Sequence, residues 1–481
     1  MSASLPVVIM GAGPVGLAAA AHVHTRGLTP LVLEAGERVG AGMRRWAHVR
    51  MFSPWRFNID ARSAELLTAQ GWSAPDPAHF PTGGEMVEQY LEPLAATPAL
   101  KSSVHLDARV VAVTRLRRDR MKNSQRDTAP FVVRYIERGE EREVLAEAVI
   151  DASGTIFSPN PLGAAGIPAL GEQEARGQIA YGIPDVLGVE RTRYAGQRTL
   201  VVGSGHSAFN VLIDLARLHR DVGSGEIHWA LRRTSLREAL GGGENDQLEE
   251  RGRLGLRVAK LIEDGSVTIH TDTHLDRIER RSDGLVAWSN GVALPAVDEM
   301  IGATGFRPDL SMLDEVRLDL DAGTQSPSAL APLIDPNLHS CGSVRPHGAI
   351  ELAHPDANFY VVGMKSYGRA PTFLLLTGYE QVRSVVAAVA GDWEAARRVE
   401  LVLPVTGVCT TQIAEGDSPV AASGCCGGPA PAAVDACCVA DADAKAAGQA
   451  GCGCGTQRAA RLQRSCHQAE GGSVAPQRVA D

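Results

Sequence analysis

An apolar run from Leu5 to Met10 gives way to Gly11-Ala-Gly-Pro-Val-Gly16 and resumes in the Ala-rich stretch Leu17 to Val23. A short, uninterrupted apolar run bounded by glycines predicts a strand buried on both faces, and the stretch after the turn predicts a helix. A further run, Pro30-Leu-Val-Leu-Glu34, ends in an acid and completes a strand–helix–strand unit from Leu5 to Glu34. The same order returns within Arg198 to Leu231. There an apolar run, Thr199 to Val202, meets the turn Gly203-Ser-Gly-His-Ser-Ala208, then a helical stretch Phe209 to Leu218 and a strand at Glu226 to Ala230.

Between and after these units the pattern predicts a helix over Thr82 to Leu94, with Thr82 and Glu85 placed as a capping box. Strands are predicted at Val104–Val113, Phe131–Ile136, Val267–Ile269 and Leu285–Trp288; Ala146–Ala152 is a further apolar run, Glu299–Gly305 closes the second segment, the chain returns with Asn358–Gly363, and a long helical stretch runs over Ala370–Ala390. Gly40 to Pro81 reads as irregular, Arg115 to Arg126 as a solvated hairpin tip, and Ser158 to Gly171 as a connection rich in Pro and Gly.

The two turns carry the candidate chemistry. In each, the first glycine (Gly11, Gly203) permits the turn and the second (Gly13, Gly205) lets backbone approach a pyrophosphate. The third small residue (Gly16, Ala208) lets helix and strand pack closely, and the helix N-terminus faces the phosphates. Pro14 opens the first helix; His206 and Ser207 open the second, where His206 is read as lining the pyrophosphate site. Glu34, at the end of its strand, is placed to accept hydrogen bonds from an adenosine ribose. The expectation is an α/β fold with two Rossmann-like domains that bind two dinucleotides. Residues 1–160 form the first, 161–310 the second and 311–400 a return to the first, followed by a tail over 401–481.

With 481 residues, 44% hydrophobic and 21% charged, the chain can bury a large core. A net charge of −9 argues against general affinity for nucleic acid. No apolar run reaches the roughly 18 residues of a membrane span, and glycines and Pro14 interrupt the apolar N-terminus, so a cytoplasmic location is expected. Cysteine use is uneven: Cys341 is the only one before Cys409, and the other eight of the nine follow. After Pro404, Ala, Gly, Ser and Cys dominate and periodicity is lost, which predicts a low-complexity tail.

In order along the chain come the Gly11 turn, Glu34, Phe80-Pro-Thr-Gly-Gly-Glu-Met86, Asp151-Ala-Ser-Gly154, the Gly203 turn, Ala303-Thr-Gly-Phe-Arg-Pro308 and Phe359-Tyr-Val-Val-Gly363. This series resembles the two-dinucleotide flavoproteins, above all the flavin-containing and Baeyer–Villiger monooxygenases, with thioredoxin reductases more distant. The resemblance covers residues 5 to 391. It implies FAD at the first turn, a nicotinamide cofactor at the second, Gly154 and Gly305 where the chain crosses between domains, and Gly363 near the flavin. Leu231-Arg232-Arg233 directly follows the strand Glu226–Ala230, and two guanidiniums there suit the 2′-phosphate of NADPH.

Two departures from the family patterns stand out. The monooxygenases carry Phe-x-Gly-x-x-x-His before the second turn; here the aligned stretch is Ala175-Arg-Gly177-Gln-Ile-Ala-Tyr181. No Cys-x-x-Cys of the thioredoxin-reductase kind lies between residues 1 and 400.

In the tail, Cys425-Cys426, Cys437-Cys438 and Cys452-Gly-Cys454 form close pairs suited to soft trivalent ions, with a spacing unlike that of a zinc ribbon. Such tails on such cores resemble the flavoproteins found beside arsenic-resistance genes, and mercuric reductase also uses a C-terminal cysteine pair. The leading expectation is an NADPH-dependent FAD oxidoreductase, monooxygenase-like and linked to soft-metalloid detoxification. The alternatives are a metalloid-binding thiol carrier with a regulatory core, and a metal or disulfide reductase that uses the tail cysteines.

Overall fold

Val7–Met10 is buried along its whole length because it is the central strand of a five-stranded parallel sheet. The spatial order is Phe359–Val361, Ala148–Asp151, Val7–Met10, Pro30–Leu33, Val104–His105. On one face packs the helix Pro14–Thr25, whose buried run Leu17 to Ala21 is almost all alanine and so permits close approach. Behind it lie the helices Leu375–Val389 and Ala61–Thr68. The other face is covered by an antiparallel sheet of Ala108–Arg115, Phe131–Glu137 and Glu140–Ala146. The computed structural model describes residues 4–236, 240, 249–337, 346–370 and 373–401.

The second half repeats the plan. A parallel sheet runs in the order Thr268–His270, Glu226–Ala230, Arg198–Val202, Glu299–Gly302, Ile179–Tyr181. The amphipathic helices His206–Val222 and Glu249–Glu263 pack together and cover one face. The antiparallel strands Leu275–Arg281, Gly284–Ser289 and Val292–Ala293 cover the other. The mixed α/β architecture with two parallel sheets is the one the repeated patterning predicts.

Several local expectations are corrected. Gly40 to Pro81 contains the helix Ala61–Thr68, capped by Asp60, whose carboxylate accepts the Ser63 N–H at 2.8 Å. Val104–Val113 is not one strand: Asp107 takes a φ of +53°, and the chain leaves the parallel sheet there to enter the antiparallel one. The apolar run Ala146–Ala152 holds the strand Ala148–Asp151, and its first residue ends the preceding strand Glu140–Ala146.

The basic stretch is a hairpin connection, but its two ends are not solvated. The Arg126 guanidinium is buried and donates to both Asp356 oxygens, at 2.8 and 2.7 Å. Arg115 is buried against the Phe131 ring, 3.6 Å from its centroid. Only the intervening basic residues such as Arg117, Arg120 and Lys122 face solvent. The capping box is present, with reciprocal Thr82–Glu85 bonds of 2.7 and 3.1 Å.

Candidate dinucleotide sites

The first turn lies at the C-terminal end of the central strand. Gly11 takes a φ of +97°, and its N–H donates to the Leu33 carbonyl at 2.8 Å. A Cβ at Gly16 would stand 2.0 Å from the Gly11 carbonyl oxygen, so the turn closes only on glycine. Gly13 behaves differently. It is the N-cap of the helix that Pro14 opens, no side chain caps that helix, and a Cβ there would meet nothing within 4 Å. An uncapped helix N-terminus with room beside its N-cap is the arrangement that can receive a pyrophosphate.

Glu34 stands beside this turn. Its Oε2 accepts the Ala12 N–H at 2.6 Å and its Oε1 the Gly36 N–H at 2.8 Å. Burial raises its pKa above the ordinary carboxylate value and outweighs the opposing effects of those two bonds and of Arg109. Glu34 therefore straps the turn to the second strand. Each oxygen keeps acceptor capacity for a ribose hydroxyl. An open approach at Gly13 and an acid at the strand end fit the ADP half of FAD.

The return segment completes this site. Gly363 takes a φ of +67°, and a Cβ there would press on Val15 at 3.3 Å. Its N–H donates to Gln381 Oε1 at 2.7 Å, and Gln381 Nε2 lies 2.9 Å from Ser366 Oγ and 2.8 Å from His347 Nε2. Two residues after Gly363, Lys365 is wholly enclosed; its Nζ donates to Asp151 Oδ2 at 2.6 Å and to Ser153 Oγ at 3.0 Å. Asp151 Oδ1 accepts the Ser153 N–H and hydroxyl at 3.0 and 2.6 Å. Asp151 was legible as part of a motif. Lys365 and Gln381 were not, since a lone Lys and a lone Gln carry no pattern.

The second turn repeats the first. Gly203 takes a φ of +128°, and a Cβ there would lie 2.3 Å from the Ala303 carbonyl oxygen. Its own carbonyl accepts the Trp229 indole N–H at 2.7 Å. Gly205 is the N-cap of His206–Val222, again with no side-chain cap and nothing within 4 Å of a Cβ. Ala208 is buried under the turn, and Ser207 is half-buried beside it.

The His206 ring stands edge-on to Phe52, at 5.2 Å, and to Phe209, at 5.7 Å. Phe52 comes from the first half of the chain, so its loop meets the second turn. Arg232 is exposed and Arg233 half-buried, directly beyond the strand end. The Leu231 N–H donates to the His270 carbonyl at 2.9 Å and the Arg233 carbonyl accepts the Asp272 N–H at 3.0 Å, which holds the pair at the rim that carries Gly203.

Gly154 and Gly305, with φ of +70° and +83°, stand on the two segments that run between the sheets. The Asn160 N–H donates to the Gly305 carbonyl at 2.9 Å, so the segments are bonded to each other. Cys425, Cys426, Cys437, Cys438, Cys452 and Cys454 lie outside the described residues. Among the described residues no group of three or more His, Cys, Asp or Glu side chains is arranged to hold a metal ion, and no helix is long and apolar enough to cross a membrane.

Two parallel sheets with a glycine turn on the C-terminal rim of each define a two-dinucleotide oxidoreductase. The sequence agrees: residues 8–331 match the pyridine nucleotide-disulphide oxidoreductase family, and the chain belongs to it. FAD and a nicotinamide nucleotide are the cofactors of this class.

Among solved structures, the bacillithiol disulfide reductase Bdr from Bacillus cereus is 19% identical with a TM-score of 0.58, covering 81% of this chain and 99% of its own. DfoA, the cadaverine monooxygenase of desferrioxamine biosynthesis from Erwinia amylovora, solved with FAD bound, is 15% identical with a TM-score of 0.57, covering 88% and 100%. A flavin monooxygenase from Stenotrophomonas maltophilia is 22% identical with a TM-score of 0.50, covering 80% and 99%. At these identities the likeness is one of fold. No curated protein sequence matches the chain.

Proposed function

We propose that the protein is a cytoplasmic, NADPH-dependent FAD oxidoreductase of the monooxygenase-like kind, acting on a soft nucleophile in the detoxification of arsenic or another soft metalloid. The observation that carries the redox reading is the repeated turn. Gly13 and Gly205 each open an uncapped helix onto space in which even a methyl group would touch no protein atom. FAD is assigned to the Gly11 turn, where Glu34 receives the ribose and Gly363 closes the far wall. NADPH is assigned to the Gly203 turn, with Arg232 and Arg233 on the 2′-phosphate. When bound at these two turns, the pair of cofactors would supply hydride chemistry between a nicotinamide and a flavin.

The chain's own residues supply binding and alignment. Phe52, from the loop beside the first site, packs on His206 at the second. The crossing segments that carry Gly154 and Gly305 are hydrogen-bonded through Asn160, whose amide also donates to the Thr304 carbonyl at 3.1 Å. The monooxygenase reading is supported by the motif series from Gly11 to Gly363.

The family name and the likeness to Bdr favour a second reading, reduction of a disulfide or metal. Among the described residues there is no cysteine, so that reading assigns the thiols to the tail. In either reading the tail pairs are proposed to bind a soft ion.

The test is stoichiometric. Purified protein should be yellow with about one FAD per chain, and should consume NADPH in step with hydrogen peroxide release or with oxygenation of an added sulfur, nitrogen or arsenite substrate. Colourless protein that takes up no FAD refutes the assignment. Deletion of residues 405–481 should leave flavin reduction intact and abolish tight arsenite binding; loss of reduction would favour the reductase reading. A thiol carrier would lose its function on deletion and need no NADPH.

A further inference from the structure

Tyr181 stands where the monooxygenase pattern has histidine, and it occupies a particular place in the fold. It ends the edge strand Ile179–Tyr181 and pairs with Gly302, which pairs with Val202, which pairs with Ala230. That row is the rim of the sheet from which the Gly203 turn and the Arg232–Arg233 pair emerge. A side chain at Gly302 would stand 2.9 Å from the Tyr181 ring and 2.7 Å from Leu162. The bare glycine lets both lie against the strand.

The Tyr181 hydroxyl donates to Glu172 Oε1 at 2.6 Å. Glu172 is only 2% exposed. The same oxygen accepts the Leu162 N–H at 3.0 Å, and Oε2 accepts the N–H groups of Ala169 at 2.8 Å and Gly163 at 3.3 Å. One buried carboxylate thus joins the sheet rim to the segment that has just crossed from the first half. That segment is bonded in turn to the returning one. Besides the Asn160 bonds to Gly305 and Thr304, the Thr304 hydroxyl donates to the Asn160 carbonyl at 2.8 Å and the Arg307 N–H to the Ser158 carbonyl at 2.9 Å. The connection runs unbroken from the second nucleotide rim, through Tyr181 and Glu172, to both segments that lead to the first sheet. The Tyr181 hydroxyl is the contact that ties Glu172 to the sheet rim; without it Oε1 keeps only the Leu162 N–H, and the carboxyl group stays bonded to the crossing segment alone.

We propose that Tyr181 and Glu172 are positioning residues: they fix both crossing segments to the rim of the second sheet and thereby set the approach of the two cofactors for hydride transfer. This rests on the assignment of FAD and NADPH to the two turns. Neither residue is placed in contact with a cofactor. Their effect is on alignment, where a displacement of about 1 Å can cost up to roughly a hundredfold in rate.

The experiment uses full-length, FAD-loaded protein and the variants Tyr181→Phe and Glu172→Gln, each mixed anaerobically with NADPH while flavin absorbance is followed. FAD content, NADP+ affinity by calorimetry and hydrogen exchange over residues 160–170 are measured alongside. Both variants should reduce the flavin about ten- to a hundredfold more slowly. FAD content, NADP+ affinity and the KM for NADPH should stay unchanged, and exchange over 160–170 should rise.

An unaltered reduction rate beside faster exchange overturns the proposal, because the contact would then be structural only. A fall in FAD content or NADP+ affinity that accounts for the slower rate overturns it in the same way. Failure of the wild-type protein to be reduced by NADPH refutes the cofactor assignment, and the proposal with it. Normal wild-type reduction with unaltered variants refutes the proposal alone.

Discussion

Gly13→Ala separates cofactor binding from folding. At Gly13 the backbone φ is −81°, which any L-residue can adopt, and a Cβ would meet no protein atom within 4 Å. The folded protein itself therefore resists the methyl group neither by strain nor by collision. Replacing a glycine by alanine where the native conformation allows it stabilises a fold by about 0.4–1 kcal/mol, because the unfolded chain loses freedom. The methyl group would instead project into the space assigned to the FAD pyrophosphate. Keeping phosphate oxygens from even one or two backbone N–H groups forfeits charge-assisted bonds of about 1.5–3 kcal/mol each, which is a loss of at least about tenfold in affinity.

The control is Gly16→Ala, whose Cβ would lie 2.0 Å from the Gly11 carbonyl oxygen and should destroy the fold itself. Fluorescence titration of deflavinated protein with FAD and urea denaturation of the same samples give the two readings. Gly13→Ala protein that binds FAD as tightly as wild type would refute the placement of the pyrophosphate. A marked loss of its stability without FAD would refute the steric argument.

Other outcomes follow from the same structure. Lys365→Met strands the buried Asp151 carboxylate and should cost about 3–5 kcal/mol in denaturant unfolding, whereas the double variant Lys365→Met with Asp151→Leu should recover much of it, since a buried pair replaced by apolar residues is often neutral. Arg232→Ala with Arg233→Ala should raise the KM for NADPH by at least about tenfold, at about 1.5–3 kcal/mol per lost contact, and leave NADH kinetics nearly unchanged; equal wild-type use of the two nucleotides would reject the assignment.

Burial pushes the His354 pKa down to about 4, against the opposing effects of Asp319 and Asp356. Folded His354 thus stays neutral where the unfolded residue takes a proton, so stability should fall as the pH drops from about 6.5 towards 4, by up to about 1.4 kcal/mol per pH unit. His354→Gln keeps an acceptor for the Asp319 N–H, now given at 3.2 Å to His354 Nδ1, and should show a shallower fall in urea midpoint over that window. An identical pH dependence would exclude His354 as its source.

Where an element is set by neighbours in the chain, the residues alone specify it. The turn Gly11 to Gly16 reads directly because steric closure on Gly16 and the open Gly13 N-cap are properties of a few adjacent residues. The Thr82–Glu85 capping box reads for the same reason, and the repeat of the strand–turn–helix pattern at Gly203 carries the two-sheet architecture with it. The Asp107 break did not read, because apolar residues continue on both sides of it and only pairing to a different sheet distinguishes them. Arg126 read as a solvated charge, since nothing local reveals that Asp356, 230 residues away, folds against it.

Two glycine turns, the residues that close them, and an acid and an arginine pair beside their strand ends are legible from the order of residues alone. All of these depend on local backbone geometry and on hydrophobic periodicity. The partners of several buried polar groups come from the folded core instead: Gly363 held by Gln381, Lys365 enclosed with Asp151, and Tyr181 joined through Glu172 to the crossing segments. Each of these rests on a buried or half-buried hydrogen bond, between residues 214 positions apart for Lys365 and Asp151, and a buried polar group acquires its partner only when the core closes around it.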